Sequence, residues 1–128
     1  MLMRMYDLEV MRRELDNGVA YDRLLLDDNL LGFAAHGPTQ AAGELKLHKL
    51  YICPDSQRQG FGALLLKHVE QVARARGFKV IVLAVNKRNA NAIAAYRKHG
   101  FTIRESVVVD IGSGFVMDDY VMAKAVST

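Results

Sequence analysis

The chain predicts a mixed α/β domain built around one mostly antiparallel sheet. Three observations lead there: short apolar or alternating runs separated by polar turns, one long segment with apolar residues at spacings of three and four, and a central strand, helix, strand order. Near the start, Leu8, Met11 and Leu15 fall at i, i+3, i+7, which predicts an amphipathic helix ending at Asn17-Gly18. Val19 to Leu26 and Leu30 to Ala35 flank the polar turn Asp27-Asp28-Asn29 and read as a hairpin. Glu44 to Ile52 sets Leu45 and Leu47 against Lys46 and His48, a half-buried strand that stops at Cys53-Pro54. From Gln59 to Arg76 the residues Phe61, Leu64, Leu65, Val69 and Val72 keep helical spacing, and Gly77 supplies the stop. Val80 to Val85 is an unbroken apolar run, short enough for a central strand buried on both faces. Ala90 to Lys98 is a short Ala-rich helix closed by His99-Gly100. Phe101 to Asp110 and Phe115 to Val126 complete the chain as two strands joined by Ile111-Gly112-Ser113-Gly114.

Composition narrows the function classes. With 128 residues, 51% of them hydrophobic and 24% charged, the chain is one domain and neither disordered nor low in complexity. A single cysteine, Cys53, excludes an intrachain disulfide and suits a reducing, cytoplasmic setting. No apolar run approaches the ~18 residues of a membrane helix, and Asp7 and Glu9 interrupt any leader-like stretch after Arg4. The net charge, 17 − 14 = +3, is a weak field that disfavours nucleic acid as the main partner. His36, His48, His68 and His99 lack metal-ligand spacing, so no metal is expected.

The most informative segment is Gln57-Arg58-Gln59-Gly60-Phe61-Gly62-Ala63, between a strand and the strongest helix. The first turn of a helix carries unpartnered N–H groups and partial positive charge. Glycines there remove the Cβ atoms that would hold an anion away. A nucleoside-triphosphate loop would need Lys and Ser or Thr after the last glycine, where this chain has Ala63-Leu64. A dinucleotide fingerprint would need a third glycine near Leu65 and an acid where Asn86 stands. What remains is a pyrophosphate held by backbone donors with Arg58 nearby, or a tight turn with no ligand.

These residues resemble the GNAT superfamily of acyl-CoA-dependent N-acyltransferases. Its Gln/Arg-x-x-Gly-x-Gly/Ala signature is matched by Gln57, Gly60 and Gly62. Its Asn-x-x-Ala-x-x-x-Tyr signature, followed by Gly-Phe, is matched by Asn89, Ala92, Tyr96 and Gly100-Phe101. The resemblance implies a central mixed, mostly antiparallel twisted sheet flanked by helices, with acetyl-CoA as co-substrate. It implies that Leu50, Tyr51 and Ile52 offer backbone groups to the pantetheine arm, and that Gln57, Arg58, Gln59, Gly60, Phe61, Gly62 and Ala63 surround the pyrophosphate. Asn89 would hydrogen-bond the cofactor or cap the second helix, and the Tyr96 hydroxyl would face the sulfur as general acid. The activity implied is acetyl transfer to the primary amine of a small molecule or peptide by direct attack. The alternative is a non-catalytic acyl-CoA-binding or regulatory module.

The base does not carry over. Many relatives place an acid twelve residues before the tyrosine, where this chain has Ala84. Glu44 is the first choice and His48 the second, on the same strand and with the same side-chain parity; His36, Asp118, Asp119 and a water chain follow. Relatives also begin with a strand and a pair of helices, so the start resembles a family domain lacking its first strand and helix. That gap suggests a homodimer covering the exposed edge, or a start at an internal methionine among Met1, Met3 and Met5.

Overall fold

A computed structural model describes residues 8–15 and 18–126. Its elements are β1 (Leu8–Glu14), β2 (Ala20–Leu26), β3 (Asn29–Pro38), β4 (Glu44–Ile52), α1 (Phe61–Ala75), β5 (Val80–Asn86), α2 (Ala90–Lys98), β6 (Thr102–Gly112) and β7 (Phe115–Ala125). The seven strands form one sheet in the order β1-β2-β3-β4-β5-β7-β6. Only β4 and β5 are parallel, with α1 as the crossover between them. The two-residue turns of the β2–β3 and β6–β7 hairpins use consecutive left-handed residues, Asp27-Asp28 (φ 49° and 69°) and Ser113-Gly114 (φ 56° and 80°), which match the strand twist.

The core lies between the sheet and α1. Leu65, Leu66, Val69 and Ala73 of α1 pack on Leu24, Ala34, Leu45, Leu47, Ile81 and Leu83, with Phe101 and Met122 closing the far side. Each large side chain buried there contributes roughly 1.5–3 kcal/mol. The opposite parity along β2, β3 and β4 puts Tyr21, Phe33 and Tyr51 on the other face of the sheet, where they stack in a row.

The first segment departs from expectation. Leu8, Met11 and Leu15 suggest a helix, yet Leu8–Glu14 is an edge strand paired from Leu8↔Leu26 to Glu14↔Ala20. The strand expected to be missing is therefore present, and β2 is covered; the residues 1–7 and 16–17 around it, including Tyr6, Met1, Met3, Met5 and Asn17, lie outside those described. The physical reason is Asp22 of β2, which is 0% exposed. It needs a counter-charge, and β1 places Arg12 directly opposite, with Nε donating to Oδ1 at 2.6 Å and Nη2 to Oδ2 at 2.7 Å. His36 of β3 and His68 of α1 reach Asp22 Oδ2 at 2.9 and 2.8 Å. Burial alone would raise the Asp22 pKa, but the bonds from Arg12, His36 and His68 outweigh it and hold the carboxyl well below the usual range.

Asp22 is thus a four-element junction. Asp22→Asn should cost about 3 kcal/mol, the low end for breaking a buried pair because Arg12 and His68 keep some access to water. The contribution of a depressed carboxyl is complete above its unfolded value, about pH 4, and drains away as pH falls further. Urea titrations of both proteins across that range check this: the stability difference should be largest near neutrality and shrink in acid.

Candidate active site

The site begins where the sheet parts. β4 and β5 pair only through Glu44↔Val80, Leu45↔Ile81 and Lys46↔Val82, then diverge. In the same place β4 carries a bulge: His36 pairs with Leu47 and Ala35 with Lys49, so His48 is the extra residue. The bulge resets the parity, so Leu47 and Leu50, three apart, both turn towards the helices. Glu44 and His48 therefore do not share a simple alternation, unlike the expectation from an unbroken strand.

Beyond the bulge the inner edge of β4 is open. The Cys53 N–H donates to Leu31 O at 2.8 Å, and alternation turns the peptide groups of Ile52 and Leu50 away from β3 into the gap. The Ile52 carbonyl there accepts from Gln57 Nε2 at 3.1 Å, which ties the following turn to the strand end. Leu50, Gly62, Ala63, Leu66, Ala92, Ala95, Tyr96 and His99 line a slot of about 190 Å³ between β4, α1 and α2. Sequence reasoning missed Ala92, Ala95 and His99 as lining residues; the i, i+3, i+4, i+7 series Ala92, Ala95, Tyr96, His99 was the available signal.

At the mouth of the slot sits the glycine turn. Arg58 (φ 66°) and Gly60 (φ 83°) are both left-handed, and such alternation around Gln59 turns successive N–H groups into a concavity. Gly60 is the N-cap of α1 and offers no side-chain bond; the first helical bond runs from Leu64 N–H to Gly60 O at 3.1 Å. The amides of Phe61, Gly62 and Ala63 precede that bond and are left for an anion. A Cβ at Gly60 would meet nothing within 4 Å, so the turn is open on that side. Gln59 Nε2 donates to Asp55 O at 3.4 Å, bracing the turn from behind.

Tyr96 lies on α2, against Phe101 with ring centroids 5.6 Å apart, and burial pushes its hydroxyl above its ordinary pKa. A phenol so placed stays protonated at neutral pH, the state in which a hydroxyl can donate. Asn89 caps α2, its Oδ1 accepting from Ala92 N–H at 3.2 Å. Glu44 sits at the closed base of the fork on the face away from the helices. Its carboxylate accepts from Arg104 Nη1 and Thr39 Oγ1, both at 2.8 Å, and these bonds hold its pKa below the usual value. That makes Glu44 a poor proton acceptor for an amine, although it shares a cavity with Ala84, Lys46 and Arg104. The His48 side chain is exposed, but partial desolvation and the nearby Lys46, His36 and Lys49 lower its pKa, which favours the neutral imidazole at pH 7. Asp118 is engaged elsewhere, 2.6 Å from Lys87 Nζ, and His36 is committed to Asp22.

A parted parallel pair, an amide-lined turn and a half-buried tyrosine coincide with a match of residues 3–101 to the acetyltransferase (GNAT) family model. The chain belongs to the GNAT family. Curated relatives include the [ribosomal protein bS18]-alanine N-acetyltransferase of Salmonella typhimurium, 38% identical over 88 residues, covering 66% of this chain and 57% of the relative. The streptothricin acetyltransferase of Streptomyces lavendulae is 36% identical over 75 residues, covering 59% and 40%. The chain spans about half the length of these relatives. Among solved structures, the ribosomal-protein-S18-alanine N-acetyltransferase of Escherichia coli superposes with a TM-score of 0.75 at 27% identity, over 89% of this chain and 73% of that one. GNAT homologues take their acetyl group from acetyl-CoA, and the concave turn and slot suit its diphosphate and pantetheine arm.

Gly60→Ala tests the turn. A Cβ on a left-handed residue costs about 1–2 kcal/mol, and a turn that relaxes away from that conformation no longer holds its amides in a concavity. The expected result is a modest fall in melting temperature with a much larger loss of acetyl-CoA affinity, both read by calorimetry. Equal affinity in a destabilised variant would mean the turn is structural only.

Proposed function

We propose that this chain transfers an acetyl group from acetyl-CoA to a primary amine by direct attack on the thioester carbonyl. The observation that carries this reading is the fork between β4 and β5, with the Tyr96 slot on one face of the sheet and a second open cavity on the other. Acetyl-CoA fills the helix side, with its diphosphate against the amides of Phe61, Gly62 and Ala63 and its arm beside Leu50 and Ile52. The amine enters from the opposite face.

Deprotonation is the largest hurdle. A lysine-like amine with a pKa near 10.4 costs roughly 4.6 kcal/mol to neutralise at pH 7, within reach of a general base worth ~10²- to 10⁴-fold. Glu44, engaged by Arg104 and Thr39, is replaced in this role by His48, which sits at the start of the opening and whose neutral form is favoured at pH 7. Tyr96 delivers a proton to the departing sulfur, and an amide of the β4 edge polarises the carbonyl. The named relatives act on streptothricin and on a ribosomal-protein alanine, which supports small-molecule and peptide amines alike as acceptor classes.

Thiol release from acetyl-CoA with an amine panel tests the reaction. Tyr96→Phe should lower kcat about a hundredfold, the low end for a general acid, while leaving acetyl-CoA bound. Cofactor binding with no thiol release from any amine would instead favour a non-catalytic acyl-CoA-binding module. The pH profile separates the two candidate bases. The wild-type kcat/KM should fall on the acid side with an apparent pKa below the ordinary histidine value of about 6.5, and His48→Gln should remove that limb. A limb that survives the substitution assigns the proton to another group.

A further inference from the structure

The sheet face turned away from both helices is divided by the fork into two banks of opposite charge. On the β1–β4 side, cross-strand pairing sets Arg13↔Tyr21, Tyr21↔Ala35 and Ala35↔Lys49 in one row, and Met11↔Arg23, Arg23↔Phe33 and Phe33↔Tyr51 in the next. These positions alternate with the core-facing Ala20, Leu24 and Ala34. The rings of Tyr21, Phe33 and Tyr51 step across three strands with centroids 5.9 and 5.5 Å apart. Arg13, Arg23, Tyr21 and Leu15 line an open cavity of about 320 Å³. On the far side of the fork, Glu105 pairs with Val121 and Asp119 with Asn86, which puts both acids on this same face.

The basic bank carries a net excess of charge, its acids being Glu44 and, opposite Leu25 towards the start of β1, Glu9. Arg12 is neutralised by Asp22 and Arg104 by Glu44, but Arg13, Arg23, Lys46 and Lys49 have no carboxylate within 4 Å among the described residues. The one acid of β4 on this face, Glu44, is the one Arg104 already holds. Strands lie about 4.8 Å apart, so Arg23 stands roughly 10 Å and Arg13 roughly 14 Å from the β4 edge. A small amine in the fork would reach Tyr51 and Lys49 and leave both arginines untouched. An extended chain, advancing about 3.4 Å per residue, would carry its second to fourth residues over Tyr51, Phe33 and Arg23.

We propose that the acceptor is the amino end of an acidic peptide, its amine drawn towards the Glu105 and Asp119 side of the fork and its carboxylates lying over Lys49, Arg23 and Arg13. This rests on the acetyl-transfer reading for the amine's position, though not for the charge of the surface. The same arrangement works against polycationic amines, whose remaining charges would lie on the basic bank.

Three peptides with the same free amino end test it: Ala-Glu-Glu-Gly, Ala-Gln-Gln-Gly and Ala-Lys-Lys-Gly. Each is titrated calorimetrically into the protein saturated with coenzyme A, and each is assayed for thiol release from acetyl-CoA. The acidic peptide should bind about tenfold more tightly than the neutral one, as two exposed charge pairs allow, and the lysine peptide more weakly still. The double variant Arg13→Gln/Arg23→Gln should bring the three affinities together, and Arg13→Glu/Arg23→Glu should reverse their order, a gain that misfolding does not produce. Equal affinities in the wild type, preference for the lysine peptide, or a preference that survives the charge reversal overturns the proposal. Selective binding of the acidic peptide without thiol release sinks the transferase reading and leaves the surface assignment standing. A single-stranded oligonucleotide that displaces the acidic peptide at lower concentration, with steep salt dependence, reassigns the basic bank to nucleic acid and also overturns it.

Discussion

A sheet interior that comes apart is the constraint from which the rest of this structure follows. Backbone N–H and C=O groups buried without partners are costly, so parallel neighbours rarely separate without a filler. Here β4 and β5 hold together for three residue pairs and then part. The extra residue at His48 sharpens the local twist of β4, and Leu50 and Ile52 are turned towards α1, where Ile52 Cγ1 would lie 3.8 Å from a Cβ at Gly62. The opened edge of β4 is thus supported from the helix side by side chains. Its peptide groups still face a gap that suits an amide-bearing chain, which a pantetheine arm is.

A fork is useful only if its walls stay in register with the turn above it, and α1 is held from both flanks. On one side His68 donates to Asp22, which is itself bound to β1 and β3 through Arg12 and His36. On the other, Lys124 of β7 reaches Glu70 at 3.0 Å. Both contacts lie in the middle of a fifteen-residue helix whose first turn presents the free amides. A buried carboxylate with three basic partners is a poor way to gain stability compared with apolar packing. It does fix one arrangement of four elements, and the position of α1 is what sets the width of the slot.

Much of this was legible in sequence because it is local. β4 and α2 occupy the segments that periodicity and the glycine stops indicate, and the Gly60-Phe61-Gly62 turn falls at the start of α1. What was not legible depends on residues distant in the chain. The helical spacing of Leu8, Met11 and Leu15 gave way to a strand because Asp22, ten residues from Arg12, has to be neutralised at the edge of the sheet. The Glu44 carboxylate looked available as a base because its charged partner, Arg104, is 60 residues away. The parity argument that grouped Glu44 with His48 failed at a bulge, and a single inserted residue leaves no trace in a pattern of alternation. Asn89 was open between cap and ligand, and its bond to Ala92 N–H gives the cap a geometry.

The position left by the common acid also fits the charge of its surroundings. Ala84 faces the fork on the side away from the helices, beside Lys46, Glu44 and Arg104. A carboxylate there would accept a proton, but it would also stabilise the ammonium and raise the pKa that has to be overcome. A neutral histidine avoids that opposing effect. The cations that lower the His48 pKa, Lys46 and Lys49, act on an incoming amine in the same direction, since a positive neighbourhood disfavours a second positive charge. Each unit by which the amine pKa falls removes about 1.4 kcal/mol from the deprotonation cost. The basic bank that would attract the acidic body of the acceptor thus favours the uncharged form of its nucleophile, and an acid at residue 84 would work against both.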